Sequence, residues 1–236
     1  MFHPVTLKRG STWLIHDAAP PVPIEDWLFD AEELAARGMI AGCSQGRRSA
    51  WFFHHAGMPL ILRHYWRGGM VARLTADVHG WQGLRRTRPY RELEMLHALC
   101  AADLPAPRPV ACRLIRRGLF YRGDIITVTI PDSHTFAQHI IDGELTREDW
   151  QAVGRTIRRF HDHGAHHFDL NVRNILLDTQ RQVWLIDWDQ GRLRGTRGSW
   201  RQDSMDRLRR SLSRESTLEQ AALRHWDALS AAYRSG

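Results

Sequence analysis

Apolar and polar positions follow two different rhythms along this chain, and the change falls near Pro131. Between about residues 39 and 130 the apolar runs are short, aromatic-rich and bounded by turn residues. "SAWFFHH" and "PLILRHYW", separated by "AGMP", predict a β-hairpin. "LFYRG" and "DIITVTI" read as two further strands, and three prolines in "LPAPRPVACRL" before them end any helix. Helices are predicted at two places in this half. "EDWLFDAEELAARG" follows Pro20, Pro21 and Pro23 and stops at Gly38. Residues 88–101, "RPYRELEMLHALCA", set Tyr90, Leu93, Leu96 and Cys100 three and four apart, one stripe of a helix. Glu92 falls at the edge of that stripe and Glu94 farther round, so Glu92 is the glutamate expected to face inward.

Beyond Pro131 the period is helical. "LTREDWQAVGRTIRRFHDHG" carries Trp150, Val153, Ile157 and Phe160 on one face, with Thr146 and Asp149 as a capping box and Gly164 as the stop. Two strands, "NILL" and "VWLID", follow around the polar turn "DTQRQ". "SWRQDSMDRLRRSLSRES" and "TLEQAALRHWDALSAAYR" read as two closing helices. The pattern predicts an α+β protein of two lobes. A strand-rich N-lobe takes residues 1–130, the first 40 or so as an extension, and a helical C-lobe takes 131–236.

The chemistry gathers in "HHFDLNVRNILLDTQRQVWLIDWDQG", residues 166–191. Phosphoryl transfer needs a carboxylate to take the acceptor's proton, oxygen ligands for Mg²⁺ and a cation against the phosphates. Asp169 is followed five residues later by Asn174, a spacing that lets one tight loop project both into a cleft. The hairpin then returns Asp187 beside Asn174, so one base and two metal ligands converge. Taken singly these are common turn and cap residues. Taken together they form a protein-kinase-like signature, with "IDWD" where protein kinases have Asp-Phe-Gly. In the N-lobe, Lys8 precedes all of these elements, and Arg63 in "PLILRHY" is the basic residue inside a suitable strand. Arg63 is expected to pair with Glu92 and touch the phosphates; the bland alternative is an edge arginine with a solvated glutamate. The stretch from Gly42 to Gly46 is either a phosphate-covering loop or an ordinary hairpin turn.

Composition narrows the setting. The chain is 43% hydrophobic and 25% charged, as expected of a soluble globular protein. No apolar run approaches the roughly 20 residues that span a bilayer. "MFHPVTLKRGSTWLIHD" lacks a signal peptide's apolar region, so a cytoplasmic location is expected. Cys43, Cys100 and Cys112 are too scattered for a disulfide framework or a zinc site. Net charge is +7, and Lys8 is the only lysine among 33 basic residues. An anionic partner suits that balance, and arginine's planar fork matches phosphate and carboxylate. Genome base composition would explain arginine over lysine, though not the net excess.

With these residues in view, "LRHYWRGGMVARL", "FDLNVRNILL", "WLIDWDQ" and the closing helices resemble the 3-deoxy-D-manno-octulosonic acid (Kdo) kinase family, lipopolysaccharide core kinases with a protein-kinase-like fold. The similarity runs from about Gly42 to Tyr233. It implies ATP and Mg²⁺ as cofactors and the 4-hydroxyl of Kdo on a Kdo–lipid A precursor as acceptor. It also implies peripheral attachment at the cytoplasmic face of the bacterial inner membrane. Carried over, Asp169 is the base, Asn174 and Asp187 ligate Mg²⁺, Arg63 contacts phosphate and Glu92 orients it. Asp189 matches a family aspartate to which the chemistry assigns no role. Few residues follow Asp187 and they hold no Ala-Pro-Glu segment, which favours a small or lipid-linked acceptor over a peptide. Arg67, Arg73, Arg85, Arg86 and Arg88 would suit an acidic acceptor and an anionic membrane surface, or form a solvated face. Nucleic acid is not expected as a partner. A core heptose kinase or an aminoglycoside or choline kinase relative would use the same base and metal ligands. A non-catalytic basic binding module is the alternative outside the enzymes.

Overall fold

The computed structural model describes residues 2–44, 50–65 and 79–235. It divides into two compact units, Met1–Ala98 with Arg108–Thr129, and Leu99–Pro107 with Ile130–Gly236. Strands of the first unit are β1 (Pro4–Arg9), β2 (Thr12–Asp17), β3 (Ile40–Ser44), β4 (Ala50–His55), β5 (Met58–His64), β6 (His79–Gly80), β7 (Pro109–Arg117) and β8 (Phe120–Val128). They form one antiparallel sheet in the order β1-β2-β7-β8-β5-β4-β3, with β6 pairing β8. Two helices accompany it, α1 (Ala31–Ala36) and α2 (Arg88–Ala101). Leu14, Phe29, Leu34, Phe53, Leu60 and Ile126 lie in one buried cluster between sheet strands and α1. Each such side chain contributes about 1.5–3 kcal/mol by leaving water.

The expected β4–β5 hairpin is present, closed by Ala56 and Gly57, both with positive φ. A two-residue turn of that kind matches the twist of the flanking strands. Other expectations of the first half are corrected. Residues 25–38 are not one helix: a 3₁₀ turn at Asp26–Phe29 ends at Asp30, whose side chain accepts from the Glu32 and Glu33 N–H groups and starts α1. An aspartate that can cap gains more there than inside a helix. "LFYRG" and "DIITVTI" belong to the single strand β8, and the proline-rich segment becomes β7 from Pro109 onward. Gly123 stays in line because a Cβ there would meet the Pro89 ring at 2.5 Å. The glycine marks close approach by the start of α2 rather than a turn. An additional strand pair, β1 and β2, precedes the expected elements, and Lys8 lies on β1, an outer strand of the sheet, its Nζ 5.3 Å from the centre of the Trp13 ring.

The second unit contains β9 (Ser133–Thr135), α3 (Phe136–Asp142), α4 (Arg147–Asp162), β10 (Ala165–His166), β11 (Ile175–Asp178), β12 (Val183–Leu185), β13 (Arg192–Leu193), α5 (Trp200–Leu212) and α6 (Ser216–Ser235). The expected capping box of α4 is formed by Thr146 and Asp149, and Gly164 follows the helix with φ of 71°. Trp150, Val153, Ile157 and Phe160 are all buried on its inner face. Gly154 lets α6 come close: a Cβ at that position would lie 2.2 Å from the Leu229 carbonyl oxygen. Strands pair as β12-β11-β9, with β10 and β13 as a separate pair.

Candidate active site

The loop between β10 and β11 and the segment after β12 are tied together by hydrogen bonds that converge on His167. Its Nε2 lies 2.8 Å from the Ile186 carbonyl oxygen, and the Asp169 N–H donates to its Nδ1 at 3.2 Å. A carbonyl accepts only, so Nε2 carries the proton and Nδ1 is left as the acceptor. The imidazole is buried and packs 4.7 Å from Trp188, which stacks on Phe160 of α4. Asn174 Nδ2 donates to the Asp169 carbonyl at 2.9 Å, and the Ile186 N–H donates to the Asn174 carbonyl at 3.0 Å. The structure thus brings the backbones of Asp169, Asn174 and Ile186 together, with Asp187 next in the chain. Asp187 lies two residues past the end of β12, not within the strand as expected, and has φ of 62°. That left-handed turn is tolerated by aspartate better than by most residues.

The carboxylate of Asp169 is about half exposed (54%), on a rigid backbone, as a proton acceptor for an incoming hydroxyl has to be. Arg207 of α5 reaches to 3.5 Å from its Oδ1. With Asn174 Nδ2 committed to a carbonyl, its Oδ1 is the end available to a cation, and Asp187 adds a carboxylate. Oxygen ligands of this kind suit a hard ion such as Mg²⁺. Among the described residues, no three His, Cys, Asp or Glu side chains cluster as a metal cage. Mg²⁺ in phosphoryl-transfer sites is held by few protein oxygens together with phosphates, so these residues fit it.

In the first unit, Arg63 opposes Ala50 on one side and Ile125 on the other. Its Nη2 contacts Glu92 Oε1 of α2, so strand arginine and helix glutamate are brought together. The Glu92 side chain is fully buried (0% exposed) and Glu94 faces outward. Tyr65, which the sequence did not single out, donates its buried hydroxyl to Glu92 Oε2. Burial, with the Glu92 charge beside it, pushes the tyrosine far above its ordinary range, so it remains a donor. Gly42 sits in β3 at an irregular pairing with β4, where a Cβ would meet nothing within 4 Å. Gly46, Arg67 and Arg73 lie outside the described residues. Asp189 is half-buried. His167 and Arg207 were also missed as site residues; the first shows only as part of an H-x-D pattern, the second through no local signal.

The profile of the lipopolysaccharide kinase (Kdo/WaaP) family matches residues 32–233. The chain belongs to this family. Members of the Kdo/WaaP family are kinases, so the protein is a phosphotransferase acting on a hydroxyl group, with a nucleotide as donor. Among its relatives, the 3-deoxy-D-manno-octulosonic acid kinase of Vibrio parahaemolyticus is 33% identical over 213 residues, 90% of this chain and 85% of the relative. The enzyme of the same description from Stenotrophomonas maltophilia is 40% identical over 205 residues, 86% and 81% of the two chains. A solved structure described as WaaP in complex with acyl carrier protein superposes with a TM-score of 0.56. It covers 91% of this chain and 88% of that one at 16% identity, which supports the kinase-like fold alone.

Proposed function

We propose that the protein is an ATP- and Mg²⁺-dependent kinase of Kdo in lipopolysaccharide inner-core assembly, acting on the 4-hydroxyl of Kdo in a Kdo–lipid A precursor. The observation that carries the acceptor is similarity over most of the chain to kinases named for that sugar. The site is compatible with it. Asp169 takes the proton from the acceptor hydroxyl, and His167 fixes the backbone that presents it. Asn174 and Asp187 would hold Mg²⁺, which would neutralise charge on the phosphates of the nucleotide that donates the phosphoryl group. Arg63 contacts phosphate, while Glu92 holds the guanidinium in place.

The same proposal puts the protein peripherally at the cytoplasmic face of the inner membrane. It is supported by the exposed Leu119 and Phe120 at the β7–β8 turn, separated from Arg116 and Arg117 by Gly118 alone. No helix among the described residues is long and apolar enough to cross a membrane.

The deciding measurement is steady-state phosphorylation of a Kdo-bearing lipid acceptor, compared with heptosylated and aminoglycoside acceptors, with the product's phosphate position read by NMR. Turnover of the Kdo lipid at its 4-hydroxyl is expected; no turnover would sink the reading. Asp169→Ala is expected to lose roughly 10²–10⁴-fold in rate, the usual contribution of a general base. It should stay folded because the carboxylate is half exposed.

A further inference from the structure

Beside Asp169 stands an aromatic ring that the roles above do not use. Phe168 is 48% exposed although it separates two fixed residues, buried His167 and the base. A single exposed phenylalanine needs no explanation by itself. Here, however, a cation shares its surroundings. The Arg207 guanidinium lies 5.8 Å from the centre of the Phe168 ring and 3.5 Å from Asp169 Oδ1. Arg173, within the loop itself, is drawn away, its Nη2 2.5 Å from Glu215 Oε1. Arg207 is anchored on helix α5, whose adjacent Leu208 is fully buried, so its Cα is fixed while its head stays partly exposed. Its 3.5 Å approach to Asp169 is longer than a strong charge-assisted bond, which leaves the fork geometry to be completed by another anion.

We propose that Phe168 and Arg207 form the acceptor subsite beside Asp169, the ring receiving the apolar face of a sugar and the guanidinium its carboxylate. This rests on the reading of an acidic sugar as acceptor. The three groups then divide the work. Phe168 sets the ring plane, Arg207 fixes the orientation through the acid group, and Asp169 meets the hydroxyl that the orientation presents. An uncharged sugar would leave the arginine's donors unpaired on binding, so the pair selects for acidic acceptors.

The shared chemistry is an anion next to the base, and the transferred phosphoryl group of the nucleotide is its other source. Separate KM values for acceptor and ATP distinguish the two. Arg207→Gln is expected to raise the acceptor KM roughly 10- to 100-fold, as for loss of a hydrogen bond to a charged group. The ATP KM should stay within about two-fold, and Arg207→Lys should recover part of the loss because the charge remains without the fork. Phe168→Ala is expected to raise the acceptor KM roughly 2- to 10-fold. An acceptor whose carboxylate is converted to the carboxamide should bind the native protein as weakly as Arg207→Gln binds the acid. It should be no weaker with Arg207→Gln, the coupling a merely structural arginine would not produce. A raised ATP KM with an unchanged acceptor KM, or equal penalties for acid and carboxamide, would overturn the subsite. If the native protein turns over no Kdo acceptor, the activity reading falls by itself. The subsite is then read by NMR titration of free Kdo and its carboxamide, where equal affinities would overturn it.

Discussion

Glu92 is a carboxylate out of water and held at both oxygens, by Arg63 at Oε1 and by the Tyr65 hydroxyl at Oε2. Removing one partner of such a buried pair leaves the other charge uncompensated, at a cost of about 3–5 kcal/mol. Arg63→Ala would therefore mix instability with any loss of phosphate contact. Arg63→Lys keeps the charge and removes the fork, and is expected to raise the ATP KM while leaving the acceptor KM alone. Tyr65→Phe tests positioning more gently. It should cost about 1–3 kcal/mol in urea unfolding and raise the ATP KM with little change in the acceptor KM. Stability lost with both KM values unchanged would make Tyr65 a packing residue only. Arg63 and Glu92 were legible beforehand because strand and helix periods specify which side chains turn inward. Tyr65 was not, since its ring fills an apolar position and the hydroxyl leaves no mark on the pattern. Arg207 lies 38 residues from Asp169, and no local spacing reports a contact of that span.

At the scale of elements, those with a one-sided apolar face or a chemical cap were legible: α2, α4, and the β4–β5 and β11–β12 hairpins. The β1–β2 hairpin was not, because β1 is exposed along almost its whole length and shows no buried alternation. Strand β8 was read as two strands that divide at Gly123, where the missing Cβ in fact accommodates Pro89. Gly154 plays the corresponding part between α4 and α6. Gly154→Ala should gain up to about 1 kcal/mol of helix propensity and lose about 1–3 kcal/mol by overpacking. A net fall in Tm is expected; an unchanged Tm would mean that α6 shifts at no cost. The same helices enclose His161, whose Nδ1 lies 2.7 Å from the Tyr233 hydroxyl. Burial, then the charge of Arg201, push it down to about 3, with His166, Arg158 and Asp162 also acting on it. The unfolded chain takes up this proton near pH 6.5, whereas the folded state refuses it until about pH 3. Stability attributable to His161 is thus complete above about pH 6.5 and falls on acidification, by on the order of 1 kcal/mol per pH unit. Urea titrations between pH 7 and 4 should show a shallower decline for His161→Asn than for the native chain; parallel declines would assign the acid sensitivity elsewhere.

For the whole molecule, the net charge of +7 favours an anionic surface, and the proposed membrane contact can be tested on the first unit. From Arg108 to Arg122 the chain carries five arginines and no acid. The tip of that segment, at the β7–β8 turn, exposes Leu119 (76%) and Phe120 (48%). Behind the tip Trp81 stacks on Trp13 at 5.1 Å, with the Arg116 guanidinium 5.0 Å from the Trp81 ring. Apolar tips, tryptophans and arginines together suit the boundary between lipid headgroups and acyl chains. Each arginine near an anionic leaflet contributes about 1 kcal/mol, and the attraction fades beyond a Debye length. Co-sedimentation should therefore show binding to vesicles containing phosphatidylglycerol, little binding to phosphatidylcholine alone, and release as salt rises to about 0.5 M. Leu119→Ser with Phe120→Ser removes the apolar tip proposed to enter the bilayer, and Arg117→Glu reverses a charge proposed to stay outside it. The first change should weaken binding at every salt concentration, because apolar burial is not screened. The second should weaken it most at low salt and flatten the salt dependence. If neither alters vesicle binding while the native protein still binds, contact is made through another face of the molecule.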